Sequence, residues 1–161
     1  MREFEKISFK QFCKDVKKDR ELYNKYKTPE RDSISSAGYD IALLEDIELK
    51  PNETIKIPTG IKAYFENDEV LILVVRSSMG FKFNVRLVNQ IGIVDADYYN
   101  NKDNEGHIFA KLTNDSNEEK TVQIKAGEGF MQGIFVEYGI TVDDEATGIR
   151  NGGFGSTTEK K

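Results

Sequence analysis

Three segments of the sequence carry side chains that could bind or hydrolyse a phosphate compound. In the first, Arg76, Ser77 and Ser78 follow an apolar run and precede Gly80. Arginine offers a charged fork to phosphate oxygens, and serine hydroxyls with nearby backbone N–H groups can complete a cradle around them. The segment therefore indicates a phosphate-binding turn, with a surface turn that exposes an arginine as the alternative.

The second segment, residues 89–98, is an apolar hairpin that ends in two carboxylates and a tyrosine. Asp95 and Asp97 are separated by one residue, so we expect them to share one face of an extended chain while Tyr98 points away. One of these carboxylates could act as a general base on water. The alternative is a hairpin whose acidic side chains are merely solvated.

The third segment is the C-terminal tail, residues 148–158. Its four glycines are accompanied by Arg150, by Phe154 and by the hydroxyls of Ser156 and Thr157. The arginine can neutralise phosphate, the ring can stack on a base for roughly 1 to 3 kcal/mol, and the hydroxyls can donate to a terminal phosphate. A segment of this composition cannot build a core, so we expect an arm that orders over a ligand.

Two sequence patterns predict the elements that hold these segments. From Ser8, a plausible N-cap, apolar residues recur at the helical period through Val16, and we predict one or two helices that end before Pro29. After residue 37, short β-branched runs between turn residues predict strands at residues 54–57, 60–65, 70–75, 83–88, 107–112, 121–124 and 131–137. Many short strands at this spacing predict an all-β fold, either a β-sandwich or a jelly roll.

Length and charge narrow the class of protein. The 161 residues suit one compact unit, which we divide into a helical extension at residues 1–33, a β domain at 34–146 and a flexible arm at 147–161. Residues 1–32 hold ten of the 23 Lys and Arg and seven of the 28 Asp and Glu. The remainder therefore has thirteen positive against twenty-one negative side chains, a net charge of −8. This acidic body argues against nucleic-acid binding.

The sequence also disfavours a membrane partner or secretion. No run approaches the roughly 20 apolar residues that span a bilayer, and the charged N-terminus leads into no signal-like apolar run. We therefore expect a cytoplasmic protein. The single cysteine, Cys13, cannot form an internal disulfide and has no cysteine partner for a metal site.

Taken with residues 37–41 and 126–132, the three segments resemble, in order and spacing, the five motifs of the trimeric dUTPase family over residues 36–158. The resemblance implies a β-jelly roll and a homotrimer in which each active site borrows motifs from all three chains. It also implies hydrolysis of dUTP to dUMP and pyrophosphate, a reaction that limits uracil incorporation into DNA and supplies dUMP.

The resemblance further implies roles for individual residues. Asp95 would orient and deprotonate the water that attacks the α-phosphorus, and Asp40 would support the network of metal and water. Asn89 and the backbone of residues 92–98 would form the uracil pocket, with Tyr98 under the deoxyribose, where its ring excludes a ribose 2′-hydroxyl. The residues implied in catalysis are Asp40, Asp95, Gln132 and Arg150, and those implied in substrate binding are Arg76, Ser77, Ser78, Asn89, Gly92, Val94, Asp95, Tyr98, Gln132, Arg150, Phe154, Gly155, Ser156 and Thr157.

Mg²⁺ is the cofactor that the resemblance implies. This ion keeps several of its waters and often takes few protein ligands. We therefore expect the substrate phosphates and water to hold it, with no direct ligand from the protein.

The sequence departs from the family pattern at several positions. Gly129 stands where the fourth motif usually carries an arginine, so a positive contact is missing there or is supplied elsewhere. Asn100 and Thr158 stand where glycine is common. The lone histidine, His107, begins a strand, and we expect its role to be structural.

Two other functions stay open at the level of sequence. The first is a dCTP deaminase of the same fold. Its chemistry would need a carboxylate in the strand after the hairpin, where this chain has Lys111. A nucleotide-responsive regulatory protein would bind dUTP without needing Asp95.

Overall fold

The computed structural model describes residues 1–150 and 152–153, which contain far more β-strand than helix. The helices are α1 (Phe9–Asp15), α2 (Arg20–Lys25) and α3 (Ser77–Phe83), with a short 3₁₀ helix at Ala96–Tyr98. The strands are β1 (Glu3–Lys6), β2 (Glu30–Arg31), β3 (Tyr39–Ala42), β4 (Ile47–Leu49), β5 (Thr54–Pro58), β6 (Ile61–Tyr64), β7 (Glu69–Val75), β8 (Val85–Leu87), β9 (Gly92–Asp95), β10 (Phe109–Asn114), β11 (Val122–Ile124) and β12 (Gly129–Glu137). The prediction of a predominantly β fold is confirmed.

The strands form antiparallel sheets around one hydrophobic core. The largest sheet has the strand order β2-β3-β12-β7-β9, a second has the order β5-β10-β8, and β1-β6 and β4-β11 are two-stranded. Each sheet contributes buried side chains to the same cluster, for example Ile41, Leu73, Leu112, Ile124 and Ile61. The four sheets therefore share one core.

The separate helical extension predicted for residues 1–33 is not evident. Two short helices are present, and Ser8 caps α1 as predicted, because its side chain accepts a hydrogen bond from the backbone N–H of Gln11 at 3.1 Å. However, β1 pairs with β6 and β2 pairs with β3, so the same segment also supplies two strands to the sheets. The N-terminal residues are therefore part of the β body.

The two N-terminal helices are held by packing on the body. Ile7 and Phe12 are fully buried in a second small cluster with Leu44, and Tyr26 packs against both this cluster and the main core. The hydroxyl of Tyr26 donates to the carbonyl of Gly60 at 2.8 Å. Helices of this length are unstable alone in water, so these contacts stabilise them.

The strand predicted at residues 83–88 is wrong at its beginning. Helix α3 continues through Phe83 and ends at Asn84, which adopts the left-handed conformation with φ of 52°. Asparagine tolerates this conformation better than most residues, which makes it a suitable helix terminator. Only Val85–Leu87 then pair with β10.

His107 is a fully buried histidine that joins three parts of the fold. Its Nε2 accepts the backbone N–H of Gly60 at 2.9 Å, and its Nδ1 lies 2.7 Å from Oδ2 of Asp15 at the end of α1. Because a backbone N–H can only donate, Nε2 is unprotonated and Nδ1 carries the hydrogen. Burial lowers the pKa of His107, and the carboxylate of Asp15 partly opposes that effect.

Within residues 1–150 and 152–153, no helix is both long enough and apolar enough to cross a membrane.

We expect the free energy of unfolding to fall as the pH decreases below about 6.5. In the unfolded chain His107 binds a proton near that pH, whereas the folded protein binds it only at lower pH. The unfolded state therefore holds more protons in this window, and acidification favours unfolding. Denaturant titrations at about pH 7.5 and about pH 5.5 measure the loss.

The control for this prediction is His107→Gln, whose side-chain oxygen can still accept the N–H of Gly60. We expect a smaller loss of stability on acidification in His107→Gln than in the wild type. Equal losses in the two proteins would contradict the prediction.

Candidate active site

Three residues implied in catalysis or phosphate binding lie together at one end of the five-stranded sheet. Arg76 follows β7, and Asp40 in β3 lies opposite Gln132 in β12. The Nε of Arg76 lies 3.4 Å from Oδ1 of Asp40, and its backbone N–H donates to the carbonyl of Phe130 at 3.0 Å. Because β12 pairs with β3 on one side and β7 on the other, one stretch of β12 brings these side chains together. We call Asp40, Arg76 and Gln132 the Arg76 cluster.

Two glycines leave room for the long side chains of the Arg76 cluster. A Cβ added at Gly129 would lie 2.9 Å from Nη1 of Arg76, and one added at Gly38 would overlap Oε1 of Gln132. An arginine at position 129 would therefore require Arg76 to move. The flexible end of the Arg76 side chain thus occupies part of the space beside Gly129.

Ser77 and Ser78 form the first turn of α3 instead of the turn that the sequence predicted. Ser77 is exposed, and Met79 anchors the helix because it is buried in the core. A cavity of about 600 Å³ opens beside the Arg76 cluster and includes Asp40, Arg76 and Gly129 in its lining. The N-terminal residues 25–32 line the same cavity.

A second, smaller cavity of about 280 Å³ lies along β9, at the edge of the same sheet, and is called the hairpin pocket here. Its lining includes Asn89, Gly92, Val94, Asp95, Tyr98 and Arg150, all of them implied site residues. Gly92 and Val94 are buried, whereas Asn89 and Asp95 are exposed. The pocket thus combines a buried strand with polar groups at its rim.

The extended chain that we predicted from Asp95 to Tyr98 is wrong, because the backbone turns into a 3₁₀ helix at Ala96–Tyr98. This turn carries Tyr98 into the core, where the residue is 9% exposed. Asp95 and Asp97 nevertheless share a partner: Arg150 Nη2 lies 2.5 Å from Oδ2 of Asp95, and its Nε lies 2.7 Å from Oδ1 of Asp97. Both carboxylates therefore face the same arginine.

The beginning of the C-terminal arm lies against the hairpin pocket of its own chain. Beyond the contacts of Arg150, Gly153 packs on the ring of Tyr98, and a Cβ there would lie 2.6 Å from Cε2 of that ring. The implied site residues Phe154, Gly155, Ser156 and Thr157 lie outside the described residues, so their roles stay predictions.

Two residues that contact the site were not among those that the resemblance implied. Asp97 binds Arg150, and its spacing from Asp95 was an available signal. Asn104 donates from Nδ2 to the hydroxyl of Tyr98 at 2.8 Å. Nothing in the sequence distinguished Asn104 from the other polar residues of its loop.

Arg76 and Asp95 are well separated within one chain. Asp95 lies opposite Val70 at the start of β7, whereas Arg76 follows the last residue of that strand. Six residues at about 3.3 Å each give a separation of about 20 Å along the strand. One chain therefore does not bring Asp95 and Arg76 to the same phosphate group.

The acidic residues of the site fit the needs of Mg²⁺ only in part. Asp40 and Asp95 supply the carboxylate oxygens that this ion prefers. Each of them is already paired with an arginine. Among residues 1–150 and 152–153, no three His, Cys, Asp or Glu side chains lie close enough together to hold a metal ion. A magnesium ion held chiefly by a ligand and by water is compatible with this donor set.

Comparison with proteins of known sequence and structure points to one enzyme family. The family model for dUTPase matches residues 24–158. A deoxyuridine 5′-triphosphate nucleotidohydrolase from Lactococcus lactis is 44% identical over 144 residues, covering 85% of this chain and 95% of the relative. The crystal structure of a dUTPase from Streptococcus mutans gives a TM-score of 0.69 at 37% identity, covering 88% of this chain and 98% of that one.

A mutant dUTPase from phage phi11 of S. aureus also resembles the chain. Its TM-score is 0.65 at 19% identity, covering 91% of this chain and 96% of that one, so the two share the fold. That phage protein coordinates a structural Mg(II) ion.

We expect Gly153→Ala to displace the beginning of the arm from the hairpin pocket. The added methyl group overlaps the ring of Tyr98, and a cost of about 1 kcal/mol to the docked state would raise the undocked population about five-fold. Trypsin cleaves after arginine, so the rate of cleavage after Arg150, followed by mass spectrometry, reports the undocked state.

The matched control is Gly139→Ala, because a Cβ at Gly139 meets nothing within 4 Å. This variant should be cleaved after Arg150 at the wild-type rate. If Gly153→Ala is also cleaved at that rate, the docking of the arm on Tyr98 is not significant in solution.

Proposed function

Since the chain belongs to the dUTPase family and hydrolyses dUTP, we propose that water attacks the α-phosphorus and that dUMP and pyrophosphate are released. The observation that carries this proposal is the hairpin pocket, where a buried strand, an aromatic ring and a carboxylate meet at one cavity. Such a cavity suits a base and a sugar with a reactive phosphate at its rim.

Strand β9 is the element proposed to recognise uracil. Within the described part of the chain it is an edge strand that pairs only with β7, so its other edge presents backbone donors and acceptors. A backbone fixes these groups more rigidly than a flexible side chain does. Uracil and cytosine exchange a donor for an acceptor, and a mismatch of that kind can discriminate by roughly 10⁴. The methyl group of thymine would clash with the pocket, so thymine would be excluded sterically.

Asp95 is the proposed general base. Its carboxylate lies at the rim of the hairpin pocket and contacts Arg150. Exposed ion pairs contribute only about 0 to 1 kcal/mol, and a triphosphate carries more negative charge than a carboxylate. Nucleotide binding would therefore draw Arg150 from Asp95 to the phosphates and leave Asp95 free to accept a proton from water.

The Arg76 cluster is the proposed binding site for the phosphate chain. Arg76 and Ser77 would contact phosphate oxygens, with Gln132 beside them and Asp40 supporting the waters around a magnesium ion. When bound to the triphosphate, Mg²⁺ would neutralise its charge and polarise its phosphoryl oxygens. The protein would orient the nucleotide and supply the base.

A homotrimer of jelly-roll subunits is the proposed assembly. The separation of about 20 Å between Asp95 and Arg76 along β7 supports it, because the two residues must act on one nucleotide. An active site shared between chains satisfies that requirement. The arm at residues 147–161 would then leave the hairpin pocket of its own chain and close over the site of another copy, with Phe154 on the base and Ser156 and Thr157 on the phosphates.

We expect Asp95→Asn to retain dUTP binding and to lose turnover by at least about 10², the scale of general-base catalysis. Asp97→Asn is the matched control, because it removes an equivalent charge two residues away and leaves the proposed base in place. Its turnover should fall by less than about ten-fold. Pyrophosphate release and isothermal titration measure the two properties, and full activity in Asp95→Asn would reject the assignment.

Mixed assemblies test whether the arm acts on another copy. A chain that carries Asp95→Asn keeps its arm, whereas a chain truncated after Arg150 keeps the proposed base. If active sites are shared, co-refolding these two inactive variants should restore dUTP hydrolysis well above the sum of their separate activities, because the arm of one serves the base of the other.

The co-refolding experiment needs two controls. Each variant refolded alone should remain inactive, and sedimentation should show that the mixture forms the same oligomer as the wild type. A mixture of correct size that stays inactive would mean that each arm serves its own chain.

A further inference from the structure

The hydroxyl of Tyr98 is fully engaged inside the protein. It donates to the carbonyl of His107 at 2.8 Å and accepts from Nδ2 of Asn104 at 2.8 Å. Burial raises the pKa of Tyr98, which keeps the hydroxyl protonated and able to donate. Tyr98 therefore offers the hairpin pocket the face of its ring, and the two internal hydrogen bonds fix where that ring lies.

The carbonyl that receives this hydrogen bond belongs to a residue held at every polar atom. The ring of His107 binds Asp15 through Nδ1 and the N–H of Gly60 through Nε2. The backbone N–H of His107 donates to the carbonyl of Asn104 at 3.0 Å. Any movement of the buried ring would thus be transmitted to the carbonyl that anchors Tyr98.

Helix α1 forms hydrogen bonds at both of its ends with the loop that contains Glu105 and His107, called the clamped loop here. At its beginning, the backbone N–H and the hydroxyl of Ser8 donate to the carboxylate of Glu105 at 2.9 and 2.5 Å. At its end, Oδ2 of Asp15 binds His107 and also accepts from Nε2 of Gln11 at 2.7 Å. The helix therefore holds the loop that precedes β10 at two points.

The backbone of the clamped loop adopts conformations that need such support. Asn100 and Glu105 have φ of 54° and 61°, a region that residues with side chains seldom occupy. Gly106 has φ of 83°, and a Cβ there would lie 2.7 Å from the carbonyl oxygen of Tyr98. Strained conformations of this kind persist only where neighbouring contacts determine them.

From these contacts we propose that His107, held by Asp15, is a positioning residue that sets the ring of Tyr98 and thereby the discrimination between deoxyribose and ribose. The inference rests on the proposed function, in which that ring lies under the sugar. His107 and Asp15 act through Tyr98. The N-terminal helix is thus part of the apparatus for sugar specificity, although the nucleotide lies on the far side of the tyrosine.

Asp15→Ala tests the proposal because it removes the acceptor for Nδ1 of His107. We expect the ratio of kcat/KM for dUTP over UTP to fall by at least about ten-fold, since small displacements of a positioning group are costly. The change should come mainly from a higher KM for dUTP. Asp15→Asn keeps an acceptor oxygen at the same place, and its ratio should stay within about two-fold of the wild type.

A matched control separates specificity from stability. Arg2→Ala breaks the ion pair of Arg2 with the buried Glu69, leaves the hydrogen bonds of His107 and Tyr98 in place, and should lower the melting temperature. Its dUTP/UTP ratio should equal that of the wild type. If Arg2→Ala changes the ratio as much as Asp15→Ala does, the effect reflects general destabilisation and the proposal is wrong.

Tyr98→Phe keeps the test decisive even if Asp15→Ala does not fold. It removes the hydroxyl that links the ring to His107, and we expect the same loss of discrimination as in Asp15→Ala. A double variant combines Asp15→Ala with Tyr98→Phe. Its loss of dUTP/UTP discrimination should not exceed that of the more impaired single variant, because both changes break the same chain of contacts. Additive losses, or a wild-type ratio in Tyr98→Phe, would overturn the proposal.

The proposal and the proposed function fail in different ways. If the wild-type protein does not discriminate between dUTP and UTP, the packing of Tyr98 under the sugar is wrong, and the inference about His107 falls with it. If the wild type discriminates and folded Asp15→Ala discriminates equally, only the inference about His107 is wrong.

Discussion

Strand β7 determines where the site residues lie, because it pairs with β12 along one side and with β9 along the other. Pairing with β12 brings Arg76 beside the strand that carries Gln132, which in turn lies opposite Asp40. Pairing with β9 fixes Asp95 near the start of the same strand. The phosphate-binding residues and the carboxylate are therefore separated by the length of β7, which a rigid strand cannot shorten.

The charged groups of the site are paired with each other in the absence of nucleotide. Arg76 contacts Asp40, and Arg150 contacts both Asp95 and Asp97. These pairs are partly exposed, so each contributes little to stability and can be exchanged at low cost. Both arginines are therefore oriented by carboxylates. The buried contacts around Tyr98 behave differently, because leaving a buried donor unpaired is costly.

Local patterns in the sequence predicted the elements that depend on local interactions. The apolar run that forms β7 and the Ser8 cap of α1 are examples, since strand composition and capping act over a few residues. The pairing of β1 with β6 could not be predicted from the charged run Glu3–Lys6, because that pairing depends on a distant partner. Helix α3 was missed for a related reason: burial of Met79 and the left-handed Asn84 determine where it lies.

The site itself could be predicted only in part. The resemblance implied Arg76, Asp40 and Gln132 as site residues, and in the structure these three lie in one cluster. The contacts of Arg150 with Asp95 and Asp97 were not predicted, because they depend on how the tail folds back on the body. The anchoring of Tyr98 by His107 and Asn104 also lay beyond the sequence, since those partners belong to an irregular loop.

The close approach of Arg76 to Gly129 also constrains how the sequence can evolve. A Cβ at position 129 would lie 2.9 Å from Nη1 and 3.2 Å from Cδ of Arg76. The effect of a substitution at one position therefore depends on the residue and rotamer at the other, a form of epistasis. A larger residue at 129 would require the end of the Arg76 side chain to take another rotamer, and would therefore change where its guanidinium group lies.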